Sequence, residues 1–306
     1  NIIPLLCILT IYSNEYDFIK MFEYLNLEEN KINLQIFINQ LKLSYNENIN
    51  LETINIFIKL YKYNMEDNKQ VALVIQLVKE MFIKNINNQS ELSKLIDKYL
   101  IPQENEKKQN AEVSTPYELR KEMLDKIPTD FWESPKRVFE PCCGKGGFLI
   151  DIIGRFMVGL KDKIKDDNDR YEFIISECLY YSDINECNIY ICKMLLDPFN
   201  KLKLNYNLGD TLKLNIKKKW DISGFDAVIG NPPYQLKVGP RKTQPIWNLF
   251  VKYSINILNN KGFLLYVHPS GWRSPKGVFK DIFNIIIDRK LIYLSMNDFK
   301  KIGRGC

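Results

Sequence analysis

The sequence predicts an α/β fold, a mostly parallel sheet covered by helices on both faces, preceded by an α-helical N-terminal domain. Three observations predict it. Short apolar runs alternate with amphipathic stretches from Arg137 to Ser295, the pattern of strands joined by crossover helices. One run ends in a carboxylate and a glycine-rich turn that opens a helix, Glu140-Pro141-Cys142-Cys143-Gly144-Lys145-Gly146-Gly147-Phe148. Polar side chains recur where later runs stop, which is where wound sheets hold ligands.

Residues 1–100 read as helices, because apolar residues recur at helical spacing in Tyr16–Leu25, Leu34–Leu43, Ile49–Tyr61 and Val71–Ile83. Polar stretches such as Asn85–Ser90 separate them. They form a candidate accessory domain that packs, positions or binds a partner. Gln103–Asn110 is polar and charged, so residues 101–112 read as a linker. Residues 113–306 then form the second domain. Arg137–Glu140 is its first strand and Phe148–Gly159 its first crossover helix. Cys178–Ser182, Leu204–Asn207, Phe225–Ile229, Gly262–His268 and Leu291–Ser295 are further strands. Ile184–Leu196, Ile246–Leu258 and Val278–Asp288 are helices.

Composition narrows the class. With 306 residues, 45% of them hydrophobic, the chain can fill cores and is not disordered. Residues 1–112 hold 12 Lys/Arg against 15 Asp/Glu, whereas residues 113–306 hold 31 against 22. The basic second half fits a polyanionic partner, although a solvated surface explains it too. Seven cysteines without a CxxC pair, and one histidine, argue against a zinc site and for a reducing cytoplasm. Ile2–Tyr12 is too short to span a bilayer. Glu29-Asn30-Lys31 and Glu106-Lys107-Lys108 match half of a nuclease signature, but no Pro-Asp partner precedes them.

Four places carry chemistry. In the glycine-rich turn, Gly144 and Gly146 let backbone approach a ligand, and Glu140 before them suits an ammonium group. The turn is neither G-x-G-x-x-G nor a phosphate loop. In Tyr181-Ser182-Asp183-Ile184-Asn185, Asp183 is placed to accept both hydroxyls of a ribose, while Ser182, Asp183 or Asn185 could instead cap the next helix. In Leu208-Gly209-Asp210-Thr211, Asp210 could accept an adenine amino group or be a solvated turn residue. The fourth place is Asn231-Pro232-Pro233-Tyr234, after the apolar run Phe225–Ile229. The Asn231 oxygen can accept one N–H of a planar amine, and the Pro232 carbonyl the other. The prolines stiffen the turn, and Tyr234 offers a stacking face.

Taken in order, these segments resemble the amino-group DNA methyltransferases, in particular the γ-type N6-adenine enzymes of restriction–modification systems. Two more segments carry the resemblance. Ser114-Thr115-Pro116-Tyr117-Glu118-Leu119 resembles the family's Thr-Pro segment, and Val267-His268-Pro269-Ser270-Gly271-Trp272 resembles the wall of its base pocket. The resemblance covers roughly residues 111–300. It implies a Rossmann-like S-adenosylmethionine-dependent methyltransferase fold in which Asn231, Pro232, Pro233 and Tyr234 are catalytic. It also implies that Thr115, Glu140, Pro141, Cys142, Gly144, Gly146, Asp183 and Asp210 bind S-adenosyl-L-methionine, and that no metal is required.

The implied partner is double-stranded DNA, with an adenine swung out of the stack. A restriction nuclease or a specificity subunit or domain outside this fragment is a further implied partner, and no membrane is. The catalytic domain is expected to be C-terminally truncated, without a target-recognition domain. Lys145 departs from the small or hydroxyl residue usual in the turn, and would crowd the sulfonium or point to solvent. His268 reads as a packed residue rather than a base, and Trp272 and Arg273 as core anchor or DNA contact. Lys237, Arg241 and Lys242 form a basic loop suited to phosphates. The same tetrapeptide also serves RNA and protein-glutamine methylation, and an inactivated DNA-binding subunit could retain the fold.

Overall fold

The computed structural model describes residues 18–44, 88–100, 113–197, 201–239 and 242–296, with isolated positions before residue 88. The expected helix Ile49–Tyr61 and most of Val71–Ile83 lie outside the described residues, as does the linker at 101–112.

Helices α1 (Phe18–Leu25), α2 (Lys31–Ser44) and α3 (Gln89–Tyr99) precede the sheet domain. Then come α4 (Tyr117–Leu124), α5 (Thr129–Trp132), β1 (Val138–Glu140), α6 (Gly147–Gly159), α7 (Asp167–Phe173), β2 (Leu179–Asp183) and α8 (Glu186–Leu196). The chain continues through β3 (Asn205–Leu208), α9 (Ile216–Trp220), β4 (Phe225–Gly230), β5 (Gln235–Gly239) and β6 (Lys242–Pro245). It ends with α10 (Trp247–Ile257), β7 (Leu258–Tyr266) and α11 (Lys280–Ile287).

Five strands form one parallel sheet in the order β3-β2-β1-β4-β7. The chain winds outward one way from β1 through β2 and β3, then the other way through β4 and β7. A crevice therefore opens beyond the carboxyl ends of β1 and β4, where the winding reverses.

Alternation along each strand sets the two faces. Val138, Leu179, Tyr181, Ala227 and Ile229 enter a core shared with the helices on one side. Phe139, Tyr180, Phe225 and Val228 enter the other, with Ile216 of α9 and Ile257 of α10. Phe139 stacks on Phe225 at 4.8 Å, and Trp220 closes that layer edge-on. The buried faces of α1, α2 and α3 join the first of these cores, continuous with α6 and α8.

Two segments differ from the sequence expectation. Leu291–Ser295 has no regular secondary structure and no ladder partner among the described residues. Its β-favouring side chains stay largely exposed, and Tyr293 reaches back to hydrogen-bond Glu122 of α4 at 2.6 Å. The basic stretch after Tyr234 is an antiparallel hairpin, β5–β6, rather than a loop.

Candidate active site

The glycine-rich turn is built on the end of β1. Gly144 and Gly146 have φ of +50° and +85°, which side chains oppose. Gly146 also has no room, because a Cβ there would meet the Cys192 sulfur at 3.1 Å. Helix α6 starts immediately after it. Glu140 is buried at the foot of the turn, and its Oε2 has no hydrogen-bond partner. Burial, then the neighbouring Cys192, Asp183 and Asp151, push its carboxyl well above the usual range despite the Arg120 guanidinium. An unpartnered buried acceptor of this kind fits a ligand ammonium. Lys145 neither crowds the turn nor reaches solvent. It is buried, and its Nζ donates to Asn188 Oδ1 of α8 at 2.7 Å.

Asp183 ends β2 and turns inward. Its Oδ2 accepts from Gly144 N at 2.9 Å, and its Oδ1 from Asn185 N at 2.8 Å. Helix α8 is capped by Asn185, whose side chain accepts from Cys187 N at 3.0 Å. Asp183 therefore ties the end of β2 to the glycine-rich turn, and the capping role falls to its neighbour. Asp210 is half-exposed. It caps a short 3-10 turn through Leu212 N at 3.0 Å and lies 3.3 Å from Lys213 Nζ.

Sequence reasoning missed the residue beside it. Thr211 is buried, donates to the Pro141 carbonyl at 2.6 Å and lies 2.7 Å from Ser182 Oγ. Asn207 Nδ2 donates to the same Ser182 oxygen at 3.0 Å. Hydroxyls next to two acids were the available signal, and they stitch the ends of β1, β2 and β3 together. Cys142 and Pro141 lie in this stitched turn, with Cys142 half-buried.

Asn231 follows β4. The end of β4 packs beside the glycine-rich turn, since a Cβ on Gly230 would be in ordinary contact, 3.5 Å from the Pro141 ring and 3.6 Å from Glu140 Cγ. Asn231 Nδ2 donates to the Val113 carbonyl at 3.3 Å, while its Oδ1 is buried with no partner. Asn231, Pro232 and Tyr234 line a cavity of about 1570 Å³ together with Val113, His268 and Trp272. Pro233, Glu140, Asp183 and Asp210 lie outside that lining, so the cavity is on the β7 side and the acids on the β2 side of Gly230.

His268 stacks on Trp247 at 5.3 Å with near-parallel rings, and its Nδ1 lies 2.9 Å from the Pro269 carbonyl. Burial holds its pKa below the ordinary value. Trp272 is buried in the same aromatic cluster as Trp247 and half-buried Tyr234. Arg273 is exposed, its Nε donating to the Ser270 carbonyl at 3.3 Å.

Thr115 is buried, and its carbonyl accepts from the guanidinium of Arg120. The hairpin β5–β6 leaves the cavity directly, with Ile246 N bonded to the Tyr234 carbonyl at 3.1 Å. The Lys242 side chain is exposed on it, and Arg241 lies outside the described residues. Among the described residues no three His, Cys, Asp or Glu side chains come together as a metal site, and no helix is long and apolar enough to cross a membrane.

Sheet order, an acid-ended β1 with its glycine turn, and an amide-bearing turn on β4 define a class. This is the Rossmann-like α/β fold of S-adenosylmethionine-dependent methyltransferases. Residues 177–301 match the Eco57I restriction-modification methylase family. A candidate type II restriction enzyme and methyltransferase of Methanocaldococcus jannaschii is 32% identical over 89 residues, which is 25% of this chain and 8% of that protein. A DrdV–DNA complex solved by cryo-electron microscopy superposes with a TM-score of 0.50 at 13% identity, over 93% of this chain and 36% of that one. The modification subunit of a candidate type I restriction enzyme from Vibrio vulnificus gives 0.49 at 16% identity, over 71% and 46%. In sequence the chain resembles restriction–modification methylases, and it spans less than half the length of each of these three relatives.

Proposed function

We propose that this chain carries the methyltransferase unit of a restriction–modification enzyme that methylates the N6 amino group of a flipped-out adenine in double-stranded DNA. The observation that carries this reading is Asn231. It is held through its Nδ2 by Val113, its Oδ1 is buried without a partner, and with Pro232 it lines a large cavity.

The residues on the other side of Gly230 fit S-adenosylmethionine. Glu140, at the foot of the glycine-rich turn, supplies the unpartnered acceptor for its ammonium. In this reading Asp183 takes the ribose, Asp210 the adenine amino group and Thr115 the methionine end. When bound, the cofactor supplies an electrophilic methyl group on a sulfonium.

The protein's task is positioning. Two acceptors, Asn231 Oδ1 and the Pro232 carbonyl, take the two N–H groups of a planar amine. They fix its plane and direct its lone pair toward the cofactor's methyl group. Tyr234 stacks on the base, which has left the duplex. No strong base is needed, because the nitrogen becomes acidic only as the new C–N bond forms. The protein's contribution is then orientation and fixed dipoles.

The test is methyl transfer from labelled S-adenosylmethionine to unmethylated DNA by the full-length parent protein, with nucleoside analysis of the product. Label in N6-methyladenine that disappears in Asn231→Ala supports the proposal. Cofactor binding without label in DNA would sink it, and would turn the search to RNA and protein-glutamine acceptors.

A further inference from the structure

A buried charge cluster centred on Arg120 lies beside the glycine-rich turn. Arg120 of α4 is 2% exposed. Its Nε donates to Asp151 Oδ2 of α6 at 2.6 Å, and its Nη2 to Ser93 Oγ of α3 at 2.6 Å. Its Nη1 donates to Asp97 Oδ1 of α3 at 2.7 Å and also to the Thr115 carbonyl. The second oxygen of Asp97 accepts from Tyr117 N at 2.6 Å, at the open start of α4. The guanidinium also lies flat against the first residue of α6. A Cβ on Gly147 would come within 2.8 Å of its Cζ.

We infer that α3 is part of the cofactor site, with Ser93 and Asp97 acting through Arg120 to hold the Thr115–Pro116 segment against the glycine-rich turn. This rests on the reading that the cofactor lies over that turn.

One cation joins four pieces of chain: α3, the segment carrying Thr115, the start of α4 and the first turn of α6. A buried guanidinium needs its carboxylates, and removing one leaves the charge under-compensated. Burial opposes the charge, and Asp151 and Asp97 more than offset it, so Arg120 stays protonated. The far end of the same segment is Val113, whose carbonyl holds Asn231. Loosening at Arg120 would therefore reach the cofactor cradle first and the amine acceptor second. Ser93, Asp97 and Arg120 are positioning residues, since none reaches the reacting atoms.

The test is calorimetric binding of S-adenosylhomocysteine, the demethylated cofactor, together with steady-state transfer, on the full chain. Asp97→Asn is expected to raise Kd and the cofactor KM at least about tenfold. At saturating cofactor, kcat should stay within about threefold of wild type, the pattern of lost ground-state binding. Ser93→Ala, which keeps both carboxylates, should raise Kd about threefold, and it carries the test if Asp97→Asn does not fold. Asp125→Asn, which breaks only the half-exposed pair with Arg155, should bind as wild type does. Folded Asp97→Asn and Ser93→Ala proteins that bind like wild type overturn the inference. Wild-type protein that binds no cofactor at all overturns the reading beneath it instead.

Discussion

Asn231 Nδ2 is hydrogen-bonded to the Val113 carbonyl at 3.3 Å, across 118 positions of sequence. This bond engages the N–H₂ end of the amide and leaves its oxygen buried and unpartnered. An orphaned buried acceptor costs folding free energy of about 1–3 kcal/mol, a cost expected where a ligand later satisfies the group. Asn231→Ala should therefore lower single-turnover transfer at least about 100-fold, the scale of losing one fixed dipole. Cofactor affinity should be unchanged, because Asn231 lies across Gly230 from the acids. Asn231→Asp retains the acceptor but loses the donor to Val113, and it too should be strongly impaired. A variant that lost cofactor binding and transfer together would contradict this division of labour.

Glu140 makes binding pH-dependent. Burial leads in holding its carboxyl above the ordinary value, so the ligand-free protein keeps a proton that the unfolded chain has lost. Between the ordinary and the raised value the native state binds more protons, so stability of the empty protein falls as pH rises. An ammonium on Oε2 favours the ionised form. Cofactor binding should then release a proton and tighten as pH rises through that window. Calorimetry in buffers of different ionisation enthalpy reads the proton directly. Glu140→Gln should abolish the release and weaken binding.

Gly146 tests the turn itself. Its φ of +85° and the Cys192 sulfur 3.1 Å from a notional Cβ oppose any side chain. Gly146→Ala should cost about 1–3 kcal/mol of stability from backbone strain. It should weaken cofactor binding as the start of α6 shifts. Thermal unfolding with and without S-adenosylhomocysteine measures both effects, and an unchanged melting temperature would mean that the turn is not strained as described.

Much of this was legible in the sequence because the physics was local. Apolar runs ending in Glu140, Asp183 and Asn231 gave strands and placed those residues at strand ends. Contacts set by the tertiary fold were not legible. Nothing in Lys145 indicates that Asn188 will take its Nζ, or in Arg120 that Ser93 and Asp97 will meet it. Helix α3 did carry a local signal. Asn88 accepts from Glu91 N at 3.2 Å, the first half of a capping box, but the surrounding polar stretch masked it. The run Leu291–Ser295 misled in the opposite direction. Its composition favours a strand, yet a strand needs a neighbour, and Tyr293 turned to Glu122 instead.

His268 should prove dispensable for proton transfer. It stacks on Trp247, its Nδ1 lies at hydrogen-bond distance from the Pro269 carbonyl, and burial disfavours its charged form. A histidine whose folded pKa lies below its unfolded value costs stability as pH falls through the ordinary value, and it is neutral above that range. His268→Gln should keep kcat within about fivefold, since general-base loss costs about 100-fold or more. It should lose about 1 kcal/mol of stability with the stack. A kcat profile that stays flat through the ordinary histidine range supports packing. An inflection there that vanishes in the variant would establish a base.

The hairpin β5–β6 places a cation beside the cavity proposed to receive a base. It springs from Tyr234, returns at Ile246, and carries the exposed Lys242, opposite Gly239, which with Gln235 and Thr243 lines the cavity. A lysine that neutralises one phosphate releases about one counterion, so the salt dependence of binding counts such contacts. Lys242→Ala should weaken DNA binding uniformly across sequences and reduce the slope of log K against log salt by about one. Cofactor affinity should not change, since the acids lie on the far side of Gly230. Titration of a labelled duplex at several salt concentrations gives the slope. A weakened affinity with an unchanged slope would mean that Lys242 acts on the hairpin's shape rather than on a phosphate.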